Sequence, residues 1–189
     1  MKDYIEARMR DTVKTLEATL AQSDVVVKMA ERLIDCVRGG GKVLVCGNGG
    51  SAADAQHIAA ELVGRLARER RAIPAIALTT NSSILTAIGN DYGYEHIFAR
   101  QVEALASKGD VLIAISTSGN AANVLAAVDA ARTLGCHTLA LTGGTGGKLK
   151  SAADLALVAP SNKTWHIQEV HITVGHILCD LVEKSITDE

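Results

Sequence analysis

His57 and Glu61 stand four residues apart, a spacing that sets an imidazole and a carboxylate on one face of a helix. Such a pair can move protons or converge on a cation. It follows an apolar run, Val43 to Cys46, and a glycine-rich turn, Gly47-Asn48-Gly49-Gly50-Ser51. The glycines allow a sharp turn and close approach of backbone to a ligand, Ser51 supplies a hydroxyl, and free N–H groups at a helix start attract phosphate. A second turn, Ile115-Ser116-Thr117-Ser118-Gly119-Asn120, repeats the device with three hydroxyls. Hydroxyls and helix-end amides together can hold a phosphate dianion without arginine or metal. Each turn also has a plain structural use, the first as a common strand-to-helix connection, the second with Ser118 or Asn120 as a helix cap. Two of them at the carboxyl ends of parallel strands, where open α/β sheets bind ligands, make a small phosphorylated molecule the leading ligand.

Positioning those turns needs a sheet. Val43–Cys46 is apolar throughout, as suits a parallel strand covered on both faces. Similar runs are Ala75–Leu78, Val111–Ile115, Thr138–Leu141 and Leu155–Val158. Between them Ser82–Ile88, Phe98–Ala106, Asn120–Leu134 and Lys148–Ala152 read as helices or helical turns. The alternation predicts an α/β fold, a three-layer αβα sandwich on a five-stranded parallel sheet. Two helices precede it. In the first, Ile5, Met9, Val13, Leu16 and Leu20 form a narrow apolar stripe that needs a partner; in the second, Val26, Ala30, Leu33, Ile34 and Val37 do the same until Gly39-Gly40-Gly41 stops it. A last helix, 164–186, aligns Ile167, Val170, Val174, Leu178 and Leu181. No repeat or linker divides the chain, whose length suits a single domain, 1–189.

Composition narrows the function. Hydrophobic residues make up 48% against 3% aromatic, so the core must be aliphatic and few rings are left to stack on bases. A formal charge of -2 and a pI near 6.3 give no basic field, and nucleic acid is not an expected partner. Cys36, Cys46, Cys136 and Cys179 lack metal-site spacing and read as buried free thiols. The amino terminus mixes charges where a signal peptide needs an apolar run, and no stretch is long enough to span a bilayer, so a cytoplasmic protein without a membrane partner is expected. His96, His137, His166 and His171 read as structural, and Asp180, Glu183, Asp188 and Glu189 as solvated surface.

The segments GNGGSAADAQHIAAEL, IGNDYGYEHIF, GDVLIAISTSGNAANV and IQEVHITVGHILCDLVE together resemble the sugar isomerase (SIS) family over nearly the whole chain, and within it the isomerases of heptose phosphates. The resemblance implies a flavodoxin- or Rossmann-like SIS domain that converts sedoheptulose 7-phosphate to D-glycero-D-manno-heptose 7-phosphate, on the route to ADP-heptose and the lipopolysaccharide core. Carried over by position, Asn48, Gly49, Gly50, Ser51, Glu61, Asn90, Asp91, Ser116, Thr117, Ser118 and Gln168 would contact substrate, with Glu61 and His176 as the catalytic pair. The resemblance further implies zinc, one ion per subunit, held by His57, Glu61, Gln168 and His176. It implies no nucleotide, and a homo-oligomer, a tetramer, with helices 1–39 and 164–186 in its interface. Two positions depart from the family pattern: Ala121 stands where serine usually follows SGN, and Trp165-His166 where arginine commonly precedes the IQE triplet.

Moving a carbonyl from C2 to C1 takes two acid–base groups. Glu61 could carry the carbon-bound proton through an enediol while His176 serves the oxygens or opens the sugar ring. Gln is a poor zinc ligand beside His or Cys, and a ligating Glu61 is a weaker base. Gln168 and His176 are eight residues apart, about 12 Å along a straight helix, so they are expected to reach any one site from different subunits, with Gly175 permitting close approach. A competing reading is a non-catalytic SIS protein that binds a phosphosugar or another protein, like the family's replication-initiation regulators, which lack the matching Glu and His. Another is an isomerase of a different ketose phosphate.

Overall fold

β1 (Val43–Gly47) is buried at every position because it runs inside a sheet covered on both faces. It pairs in parallel with β2 (Ala75–Ala77) and β3 (Val111–Ser116), and β4 (His137–Gly143) and β5 (Leu155–Ala159) extend the sheet in the order β2-β1-β3-β4-β5. The computed structural model describes residues 1–187; Asp188 and Glu189, assigned above to solvated surface, lie outside them. The helices are α1 (Lys2–Thr19), α2 (Ser23–Arg38), α3 (Gly50–Val63), α4 (Ser82–Asp91), α5 (Ala99–Leu105), α6 (Ala122–Thr133), α7 (Leu149–Ala152) and α8 (Thr164–Thr187).

Alternate residues of each strand point to opposite faces, and two cores result. Val45, Ile113 and Leu141 pack with Leu33 of α2, Ile58 of α3 and Val174 of α8. On the other face Leu44, Leu112 and Ala140 pack with Phe98, Val102 and Val128. This is the αβα sandwich expected, with all five strands and both leading helices in place. α4 continues three residues beyond Ile88, and a 3-10 turn at Tyr94–His96 had no counterpart in the sequence reading. The four cysteines are free and buried.

His171 helps dock α8 on the sheet. It is fully buried, and its Nε2 lies 3.0 Å from the Thr142 carbonyl oxygen, so the neutral ring donates there. Its Nδ1 is buried without a partner. Burial therefore pushes the imidazole pKa down to about 4, against the smaller opposing effect of the Thr142 bond. A depressed folded pKa means that the unfolded chain binds the extra proton first, so stability is complete above pH 6.5 and is lost as pH falls toward 4. The loss amounts to about 3 kcal/mol, or a Tm drop of roughly 6–12 °C for a chain of this size. Calorimetry at pH 7 and pH 4 should show that drop in the wild type and a much smaller one in His171→Asn, and equal drops in the two proteins would contradict it.

Glu183 corrects the surface reading made of it. Its side chain is fully buried, and it accepts the backbone N–H groups of Leu66, Ala67 and Arg68 at 3.0, 2.8 and 2.8 Å. Arg70, itself 2% exposed, places Nε 3.3 Å from the same carboxylate. The physical reason is the helix period: Glu183 falls one turn after Cys179, on the stripe of α8 that faces α3. Asp180, by contrast, keeps 47% of its side chain exposed and pairs with Arg68.

Candidate active site

Between β1 and β3 the chain's path along the sheet reverses direction, and the turns leaving those strands part to leave a crevice at the carboxyl edge. Gly47 lies in register with Ile115, which sets the two motif turns side by side. Asn48, Gly49, Gly50 and Ser51 from one turn and Ser116, Thr117 and Ser118 from the other line a cavity of about 330 Å³, closed by Ile115, Ala121, Thr164 and Gln168. Gly49 has φ +58° and Gly119 φ +65°, values that L side chains rarely adopt. A Cβ on Gly119 would also overlap the Gly146 carbonyl oxygen, so this glycine is required by the close crossing of the β4–α7 turn.

Neither Ser118 nor Asn120 caps α6. The capping position is Ala121, with no side-chain bond, while Ser118 Oγ accepts the Asn120 N–H and Asn120 Oδ1 accepts the Lys148 N–H. Ala121→Ser would fill both gaps, giving the helix a cap and the cavity a hydroxyl. The expected gain is about 1 kcal/mol of stability, a Tm rise of roughly 2–4 °C. Calorimetric titration should find inorganic phosphate bound roughly three- to tenfold more tightly, and unchanged affinity would place the new hydroxyl outside the anion site.

Beyond the cradle α3 and α8 run side by side in parallel, Gly50 beside Gln168, His57 beside His176 and Leu66 beside Glu183. Gly175 faces Ile58 of α3, so its missing side chain serves this helix contact within the chain. His57 Nε2 lies 3.1 Å from Glu61 Oε1 and 3.3 Å from His176 Nε2, with the two rings edge to face at 4.9 Å. The three ligand atoms all fall within 4.8 Å of one another. Ligands bound tetrahedrally at 2.0–2.1 Å would be about 3.3 Å apart, so both measured separations suit a common cation. Two imidazoles and one carboxylate, with a fourth position open, is also the donor set of many catalytic zinc sites.

The surroundings favour proton chemistry over thiol chemistry. Burial, reinforced by the Glu61 charge, pushes the nearby Cys179 thiol up to about 12, which keeps it protonated and unreactive. Asp54, a turn before His57, has one carboxylate oxygen buried without a partner; burial raises its pKa, opposed by His57.

Gln168 stands with the cradle, its amide against Gly50, and the chain does not bring it to the His57–Glu61–His176 group. Asn90 and Asp91 close α4, where Asn90 Nδ2 donates to Asp91 Oδ1 at 2.8 Å. Asp91 borders a separate groove beside Tyr92 and Arg100. Sequence reasoning missed Thr164, Tyr94 and Asn123. Asn123 could have been flagged as a polar residue at the head of the otherwise apolar Val124, Ala127, Val128 and Ala131 stripe.

The sequence pattern of the SIS domain family matches residues 3–143, and the chain belongs to that family. Over 187 residues it is 56% identical to the phosphoheptose isomerase of Roseiflexus sp. (strain RS-1), covering 99% of this chain and 93% of that one. Among solved structures it superposes on phosphoheptose isomerase GmhA from Neisseria gonorrhoeae with a TM-score of 0.92 at 44% identity, over 97% of this chain and 98% of the other. For a phosphoheptose isomerase from Francisella tularensis the TM-score is 0.93 at 39% identity, over 96% and 97%. Among the described residues no helix is long and apolar enough to cross a membrane.

Proposed function

We propose that this chain is a phosphoheptose isomerase, converting sedoheptulose 7-phosphate to D-glycero-D-manno-heptose 7-phosphate for the heptose of lipopolysaccharide. The observation that carries the reading is the convergence of His57, Glu61 and His176 on the same two helices that wall a hydroxyl- and amide-lined cradle, in a chain 56% identical to a protein of that name. The cradle holds the phosphate through Ser51, Ser116, Thr117 and Ser118, and Asn48 and Gln168 contact the sugar. Glu61 takes the proton from C1 of the open-chain ketose and returns it to C2. His176 gives a proton to the C2 oxygen and accepts one from the C1 hydroxyl, so the net change is movement of the carbonyl.

His57, Glu61 and His176 suit zinc, one ion per subunit, which when bound would polarise the substrate carbonyl. Gln168, about 12 Å along α8 from His176, would complete that site from a second copy, so that the cradle of one subunit meets the imidazole and carboxylate of its neighbour. Support comes from the apolar flank: Met9, Val13, Leu20, Val27 and Ile177 are exposed at 65, 52, 71, 53 and 44%. Leu20, Val27 and Ile177 line a groove of about 360 Å³ between α1, α2 and α8, the face on which a homotetramer of single SIS domains would close through helices 1–39 and 164–186. The reaction uses no nucleotide, and its phosphorylated substrate argues for a cytoplasmic location. The test is to incubate purified protein with sedoheptulose 7-phosphate and follow heptose 7-phosphate by NMR, before and after chelation. Turnover is expected; protein that binds the sugar phosphate without converting it would be a binding module instead.

A further inference from the structure

Asn48 is held by two side chains that the reaction does not otherwise use. Its Nδ2 donates to Asn123 Oδ1 at 2.8 Å, and Asn123 Nδ2 donates back to Asn48 Oδ1 at 2.9 Å. The Tyr94 hydroxyl donates to that same Oδ1 at 3.3 Å. Asn123 is 3% exposed, in the first turn of α6, and Tyr94 comes from the 3-10 turn that follows α4. Three segments distant in sequence are thus tied at one amide on the cradle wall.

An amide oxygen has two lone pairs and its nitrogen two protons. Asn48 Oδ1 receives two donors and is filled, and Nδ2 has spent one proton on Asn123. What remains is one polar arm of the amide on a residue that lines the cavity. The geometry points to Asn123 and Tyr94 as positioning residues that hold the Asn48 amide in one place on the cradle wall, so that its remaining polar arm meets the substrate there. A free asparagine could swing to other rotamers and carry that arm away from the wall. The clamp removes that freedom before substrate arrives. The substrate in this inference rests on the isomerase reading; the clamp's geometry does not.

A double-mutant cycle tests it. Tyr94→Phe keeps the exposed ring and removes only the hydroxyl, and it should lower kcat/KM about three- to tenfold, mostly through KM. Asn123→Ala removes both arms of the reciprocal pair and should cost roughly ten- to thirtyfold. If both residues act through Asn48, neither change lowers kcat/KM further in an Asn48→Ala background. Equal losses in the two backgrounds, or no loss in the first, overturn the inference. Should Asn123→Ala fail to fold by calorimetry, the Tyr94→Phe pair alone decides. A wild type that binds sedoheptulose 7-phosphate without converting it sinks the isomerase reading but not the clamp, because the same cycle is then read in Kd. A wild type that neither converts nor binds it overturns both.

Discussion

Glu61→Gln is expected to lower kcat by about 10²- to 10⁴-fold with little change in KM. The amide keeps the shape of the side chain but cannot take a proton from carbon. Glu61 is suited to the task by its place: one-fifth of its side chain is exposed, so it can reach substrate, and its backbone is held from behind by Arg70, whose Nη2 donates to the Glu61 carbonyl at 2.7 Å. His176→Gln should cost less, about 10²-fold, because water can replace an imidazole in moving oxygen-bound protons more easily than a carboxylate in moving a carbon-bound one. The double variant should fall well short of the product of the two losses, since groups that act as a unit are not additive. Steady-state kinetics with sedoheptulose 7-phosphate checks all three, and folding is verified by unchanged calorimetric traces. Unimpaired turnover in Glu61→Gln would remove the carboxylate from the chemistry.

The largest stability loss is expected from Glu183→Ala. Three backbone N–H groups and the Arg70 guanidinium converge on this buried carboxylate, and truncation leaves the three amides without an acceptor and Arg70 Nε without its counter-charge. Burial alone would raise its pKa, but the Ala67, Arg68 and Leu66 amides, helped by Arg70, outweigh burial and hold it below the usual carboxylate value. Its contribution is therefore fully present above the unfolded value and is lost as pH falls through the folded one. Breaking such a buried pair costs about 3–5 kcal/mol, roughly 6–20 °C in Tm at pH 7. Glu69→Gln, whose carboxylate is 89% exposed in a surface pair with Arg65, should stay within about 0.5 kcal/mol. Comparable melting of the two variants would show that Glu183 carries no such load. Because Arg70 also bonds the carbonyls of Glu61 and Gly64, kcat of folded Glu183→Ala should fall as well.

Much of this architecture could be read from the chain because central parallel strands are apolar at every residue. Val43–Cys46 and Val111–Ile115 therefore announce themselves, and the glycine–hydroxyl turns after them mark the binding edge of the sheet. The His57–Glu61 contact was legible for a local reason, one helical turn of separation. The His57–His176 contact spans 119 residues and depends on the register between α3 and α8, which motif resemblance suggested and periodicity alone did not. Glu183 was misread because an acidic residue near a helix end is usually solvated, and only its partners in the loop after α3 make it a core residue. The Asn48–Asn123 pair is hidden for the same reason, since two asparagines 75 residues apart carry no mark of meeting.

Gln168 and His176 occupy different stations on one helix. If sites are completed between copies, each α8 is shared, lending its first half to one reaction centre and its imidazole to another. No copy is then self-sufficient: damage to a single helix is felt at two centres, and turnover per molecule declines on dilution as the assembly comes apart.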